Sequence, residues 1–232
     1  MGAIAAALQD VRRRIADACQ AAHRPSASVS LLAVSKTFPA TAVREAHAAG
    51  LRCFGESYVQ EALAKMAELA DLDLEWHFIG PIQSNKTRAI AEHFHWAHGV
   101  ERLKIAERLS AQRPSNLPPL QVCVQVNVSG EASKQGVPTA EALDLAAAVA
   151  RMPRLRLRGF MAIPEPAPDM ATQRLRFRAL ADLLAQARQG GLDPDTLSMG
   201  MSDDMEAAIL EGATMVRIGS AIFGRRGHAR GT

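Results

Sequence analysis

The chain has 232 residues, is 48% hydrophobic and carries a formal net charge of +3, enough to bury one full α/β core or two small ones. It has no apolar run of about 18 or more residues, so no membrane-crossing helix is expected; the run Ala3–Leu8 is too short for a secretory signal and is broken at Asp10, before Arg12-Arg13-Arg14. Cys19, Cys53 and Cys123 form no close pair, against a disulfide framework or thiolate zinc site, and 22 of the 27 basic residues are arginines dispersed among 4% aromatics, against a nucleic-acid surface.

A cytoplasmic protein is the simplest expectation. A leading amphipathic helix over 4–22 comes first, with no strand before it. Strands are then predicted over 29–34, 52–54, 75–79, 95–97, 120–126, 155–160, 196–199 and 215–218. Helical patterns fall between them over 40–49, 59–70, 86–93, 102–111, 140–151, 172–189 and 203–211. Alternation of this kind predicts a parallel sheet. With no linker or composition break, one closed (β/α)8 TIM barrel with an extra N-terminal helix is the economical solution; a doubly wound open sheet is the competing one, since alternation alone does not prove closure. The boundaries are residues 1–27 for the helix packing on the barrel, 28–226 for the barrel and 227–232 for a tail. Ser57 followed by Gln60 fits a capping box for the helix at 59. Pro153 and Gly190-Gly191 mark helix ends. The polar loop 129–136 belongs to the strand C-terminal face, where barrels build active sites.

Lys36 is the first candidate for chemistry. It ends the apolar run Val29–Ser35 and precedes Thr37-Phe38-Pro39. An apolar wall disfavours its ammonium form and frees the amine for Schiff-base formation; a solvated strand-end lysine is the bland alternative. The second candidate is the C-terminal stretch. The loops after the seventh and eighth strands of barrels often hold phosphate. Gly219 would admit an anion to the backbone, and Ser220 and Ser202 would add hydroxyl donors. The alternative makes Gly219 a packing glycine and Ser202 a plain helix cap, which Asp203 and Asp204 favour by complementing the helix dipole. Arg217 lies in an apolar strand, either in an ion pair or as a fixed cation facing a ligand. Such an arginine leaves a ring nitrogen unprotonated, where a carboxylate would create a pyridinium.

The lesser candidates are weaker. His93, His95 and His98 form an HxHxxH spacing, with the first two on one face if the segment is a strand, but nothing completes a metal-ligand set. Tyr58 at a helix start suits packing. Lys134 in the polar loop suits solvent better than an anion or a second transient aldimine. Met161, Met199 and Met201 suit barrel core or rim.

Five blocks in order resemble the pyridoxal phosphate homeostasis protein family. They are Ala33-Val34-Ser35-Lys36-Thr37, the stretch Phe54-Gly55-Glu56-Ser57-Tyr58-Val59-Gln60-Glu61, the stretch His77-Phe78-Ile79-Gly80-Pro81-Ile82-Gln83-Ser84-Asn85-Lys86, then Leu197-Ser198-Met199-Gly200-Met201-Ser202, and Val216-Arg217-Ile218-Gly219-Ser220-Ala221-Ile222-Phe223-Gly224. The resemblance implies a single barrel like the N-terminal domain of alanine racemase, with pyridoxal 5′-phosphate (PLP) as its cofactor. Lys36 matches the lysine that forms the internal aldimine, Arg217 the arginine facing the pyridine nitrogen, and Ser202, Gly219 and Ser220 the phosphate-binding positions. His77 matches a histidine at the barrel interior or rim and is taken as a cofactor-pocket residue, with a satisfied core histidine as the competing reading; Met201, beside Ser202, and Ser57 are further cofactor-binding candidates. Ser57 stands where the family usually has Asn, and Glu101 where it usually has Asp.

The implied function is to hold PLP as a lysine aldimine, regulate its intracellular level and supply it to PLP-dependent apoenzymes. No catalytic residue, metal, nucleic acid or membrane partner is expected, and a monomer is. Racemases on this barrel add a second domain for which these 232 residues leave no material, so a non-enzyme is expected. A low-activity racemase using Lys36 as a base is the alternative, and a cofactor-free Schiff-base aldolase a more distant one.

Overall fold

The structure, a computed structural model, describes residues 2–129 and 135–224. Eight barrel strands occur in chain order: β1 (Ser30–Val34), β2 (Cys53–Glu56), β3 (Glu75–Phe78), β4 (Trp96–Val100), β5 (Leu120–Asn127), β6 (Leu155–Met161), β7 (Thr196–Ser198) and β8 (Met215–Ile218). Every pairing is parallel. The sheet closes because β8 returns to β1, with Leu32 opposite Arg217 and Ala33 opposite Ile218. That pairing decides between the two sequence-level architectures in favour of the closed barrel. The helices are α1 (Ala3–Ala21), α2 (Ala40–Ala48), α3 (Val59–Glu68), α4 (Thr87–His93), α5 (Leu103–Gln112), α6 (Ala142–Ala150), α7 (Met170–Gln189), α8 (Met205–Leu210) and α9 (Ser220–Phe223). Among the described residues no helix is long and apolar enough to cross a membrane.

Strand alternation sorts the side chains into two layers. Ala33, Trp76, Phe78, Ala97, Val216 and Ile218 point outward into the large core under the helices. Leu32, Trp96, Cys123, Met161 and Met215 point inward and form a much smaller cluster along the axis. His77, His98, Ser198 and Arg217 share that interior and are buried. Helix α1 lays Leu8, Val11, Ile15, Ala18 and Cys19 against the outer core.

Three local expectations fail. The capping box does not form: Tyr58 is the N-cap of α3 and no side chain caps it. His93 is the last residue of α4, bonded to the Ala89 carbonyl, so it shares no strand face with His95. The sixth inter-strand helix, α7, begins at Met170, two residues before the expected start, because Asp169 accepts from the Thr172 amide at 2.8 Å. A two-residue strand, Val137–Pro138, also pairs with the end of β5. Lys134 lies outside the described residues.

Candidate ligand-binding site

Lys36 continues the inward face of β1 past the strand end, after Leu32 and Val34. Its neighbours are clamped. The Ser35 hydroxyl donates to Glu56 Oε1 at 2.6 Å. Lys65 Nζ donates to the Ser35 carbonyl at 2.9 Å, to Glu56 Oε1 at 2.6 Å and to Glu61 Oε1 at 3.1 Å. Glu61 Oε1 also accepts from the Thr37 amide at 2.6 Å. Thr37 has φ 69°, a costly conformation for a β-branched residue. Strain of this kind persists where the surroundings over-determine the backbone, and here they fix both flanks of Lys36. Burial raises the Glu56 carboxyl above its usual range, although Lys65 and Ser35 act against it.

The opposite wall comes from the end of the chain. Arg217 is 3% exposed, and burial lowers its pKa to about 10. Its guanidinium donates to the Ser198 carbonyl, to Ser198 Oγ at 2.9 Å and to the Ala162 carbonyl at 2.8 Å. A buried cation anchored on neutral acceptors keeps its charge for a ligand. Ser220 Oγ lies 3.3 Å from Ser202 Oγ, so two distant loops present hydroxyls together. Gly219 is the N-cap of α9, whose first amides lack intrahelical acceptors. A Cβ on Gly219 would stand 3.3 Å from the Val34 carbonyl, so this glycine lets the turn pack against β1 as well as line the site. Gly200, at φ +93°, could not carry a side chain, since a Cβ would meet Ala208 at 2.6 Å. The turn it makes delivers Met201 and Ser202. Arg14 of α1 holds that turn from behind, donating to the Ser202 carbonyl at 2.9 Å and to Glu206 at 2.7 Å.

Lys36, Met201, Ser202, Arg217, Gly219 and Ser220 line one cavity of about 240 Å³. Ser57 is elsewhere, in an adjoining cleft of about 450 Å³ that shares Lys36, Ile79 and Ile163 with the cavity. His77 does not line the cavity. It is buried in the barrel interior, bonded to His98 and Glu75. Tyr58 is exposed and lines the adjoining cleft. Met161 and Met199 are core. Val34, Phe38, Ile79, Ile163 and Asp203 also line the cavity and were not singled out from sequence. Of these, Val34 shares the inward face of β1 with Leu32, and Phe38 follows the turn at Thr37, whereas Ile79 and Ile163 follow the ends of other strands. The Phe38 ring packs on Phe223 of α9 at 5.1 Å, joining the Lys36 loop to the C-terminal turn.

The HxHxxH histidines do not converge. His95 accepts from the Trp76 amide, and His98 is paired with His77 and Ser198. Cys53, Glu75 and His77 do place donor atoms within 4.8 Å of one another, with His77 Nε2 and Cys53 Sγ both bonded to Glu75.

A primary amine, a buried guanidinium and paired hydroxyls around a small cavity define a barrel built to receive an anionic small molecule. The family model described as alanine racemase, N-terminal domain, matches residues 7–227. A protein of Pseudomonas aeruginosa named pyridoxal phosphate homeostasis protein is 65% identical over 226 residues, 97% of each chain. The chain therefore belongs to the pyridoxal phosphate homeostasis proteins, within the alanine racemase N-terminal domain family. Among solved structures, PipY of Synechococcus elongatus with PLP bound superposes with a TM-score of 0.84 at 38% identity, covering 95% of this chain and 100% of PipY. Alanine racemase of Corynebacterium glutamicum, at 20% identity and a TM-score of 0.64, shares the fold over 99% of this chain and 62% of its own.

Proposed function

We propose that this chain binds PLP in the cavity between Lys36 and the Ser202–Ser220 pair, and through that binding regulates the intracellular supply of PLP, including its passage to apoenzymes. The observation that carries this reading is that Lys36, Arg217, Ser202 and Ser220, from opposite ends of the sequence, line one cavity. The PLP-bound relative and the shared family name support it.

PLP supplies an aldehyde that can condense with a primary amine, a pyridine nitrogen and a phosphate. Lys36 is the amine, its position fixed by the clamps on Ser35 and Thr37. Ser202, Ser220 and the first amides of α9 would receive the phosphate. Arg217, a donor that stays charged, would face the ring nitrogen and leave it unprotonated. Lys36, Asp203, Ser202 and Ser220 sit at a rim open to solvent, an arrangement suited to uptake and release of the cofactor. The test is a titration of purified protein with PLP, read by near-visible absorption. Wild type develops a saturable band distinct from free PLP; Lys36→Ala does not. A wild-type spectrum that matches free PLP plus protein contradicts the proposal.

A further inference from the structure

A file of polar groups crosses the barrel interior. Arg217 donates to Ser198 Oγ at 2.9 Å, and Ser198 Oγ lies 2.9 Å from His98 Nδ1. His98 Nε2 is 3.0 Å from His77 Nδ1, and His77 Nε2 is 2.8 Å from Glu75 Oε1. Ser198, His98 and His77 are each 0% exposed. The two ends open into different cavities. Arg217 lines the proposed cofactor cavity. Glu75 lines one of about 290 Å³, among Ser30, Cys53, Thr196 and Met215, which start or lie near the start of their strands. The file therefore runs from one mouth of the barrel to the other.

Its hydrogen bonds can point only one way while Glu75 is ionised. Arginine only donates and a carboxylate only accepts. Ser198 Oγ accepts from Arg217, and its hydroxyl donates to His98 Nδ1. His98 then carries its own proton on Nε2 and donates to His77 Nδ1. His77 in turn carries its proton on Nε2 and donates to Glu75. The reverse order would set the His77 lone pair against a carboxylate. The surroundings agree with this order. The bond from His77 holds the Glu75 carboxyl below its usual range, with His95 acting the same way and Cys53 donating weakly. Burial lowers the pKa of both rings, at His77 against the opposing pull of Glu75 and with His95 and Arg158 acting alongside burial, and at His98 with His77 and Arg217 adding to the effect. Trp96 stacks on His77 at 5.1 Å and is itself covered by Arg158, which pairs with Asp195. Those contacts hold the His77 ring plane.

We propose that Glu75, at the mouth opposite the cofactor cavity, tunes Arg217 through His77, His98 and Ser198, which act as positioning residues for PLP binding. The proposal rests on the PLP reading of the cavity. Bonds aligned between a cation and an anion polarise one another. Losing the anionic end frees the His77 tautomer, then His98, then the Ser198 hydroxyl that receives Arg217.

The test has two parts. Nitrogen-15 NMR of histidine-labelled protein without PLP should show His77 and His98 as neutral rings protonated on Nε2. A ring protonated on Nδ1 at either position overturns the proposal. Glu75→Leu and His98→Asn should each weaken PLP binding roughly threefold to tenfold and shift the absorption maximum of the bound cofactor, a change that loss of fold alone does not produce in protein still able to bind. Glu75→Gln, which keeps an acceptor, should retain the Nε2 tautomers. Unchanged affinity and spectrum in both Glu75→Leu and His98→Asn overturn the coupling. Absence of PLP uptake by wild type would count against the cofactor reading, while the tautomers would still decide the direction of the file.

Discussion

Glu61 accepts a 2.6 Å hydrogen bond from the Thr37 amide, and Thr37 sits at φ 69° immediately after Lys36. The carboxylate thus pins a backbone that a β-branched residue would otherwise abandon. Removing it with Glu61→Ala should cost about 1.5–3 kcal/mol of stability, the range for a bond to a charged group, and weaken PLP uptake. Adding Thr37→Gly to Glu61→Ala should recover part of the stability, since glycine tolerates this conformation. Denaturant titrations of the two variants check both statements.

Lys65 is 4% exposed, and Glu56, its partner at 2.6 Å, is 0% exposed. Breaking a buried pair leaves an uncompensated charge, so Lys65→Met should destabilise by about 3–5 kcal/mol. Glu56→Gln combined with Lys65→Met should destabilise less than Lys65→Met alone, because no charge is then stranded. A double-mutant cycle by urea unfolding measures the difference. An equal or larger loss in the double variant would show that packing rather than charge dominates here.

How much of this was legible in the sequence follows from which interactions are local. Lys36 stood out because a cation ended an apolar run; its place on the inward side of the barrel came only with the structure. Arg217 stood out as a charge inside an apolar strand. The barrel's closure rests on β8 meeting β1, a pairing of residues nearly the whole chain apart, which alternation alone could not distinguish from an open sheet. The Glu56–Lys65–Glu61 clamp was missed because its partners lie on a strand and a helix that look like an ordinary amphipathic pattern. Of the two readings of His77, pocket residue or satisfied core histidine, the structure has the second: its ring is buried and bonded to His98 and Glu75. The capping box at Ser57 failed because the strand continues through Glu56 and the chain enters α3 from an extended Tyr58.

The two interior histidines set a pH dependence. Burial depresses the folded-state pKa of His77 and places that of His98 well below the ordinary 6.5. A depressed folded-state pKa means the unfolded chain binds the proton first. Stability is therefore full above about pH 6.5 and falls on acidification. The slope is about 1.4 kcal/mol per pH unit for each ring that stays neutral in the fold. Urea unfolding between pH 7.5 and 5 checks this, and His98→Asn should flatten the slope by about one ring's share. A slope unchanged in His98→Asn would mean that other groups carry the acid sensitivity.

If the site binds rather than catalyses, the PLP-loaded protein should exchange the α-proton of alanine in heavy water no faster than an equal concentration of free PLP. Exchange well above that level, lost in Lys36→Ala, would make the chain an amino-acid racemase that uses Lys36 as a base.

The central claim is that the Lys36 amine and the Ser202–Ser220 pair, brought together in one cavity, hold the two ends of the same PLP molecule. The most direct measurement is borohydride reduction of the PLP-loaded protein followed by peptide mapping. The expected result is one stoichiometric pyridoxyl group on the peptide carrying Lys36, with the yield at limiting PLP reduced when Ser202 and Ser220 are both changed to Ala. A label spread over surface lysines, or one on Lys36 whose yield is indifferent to the two serines, would contradict the account.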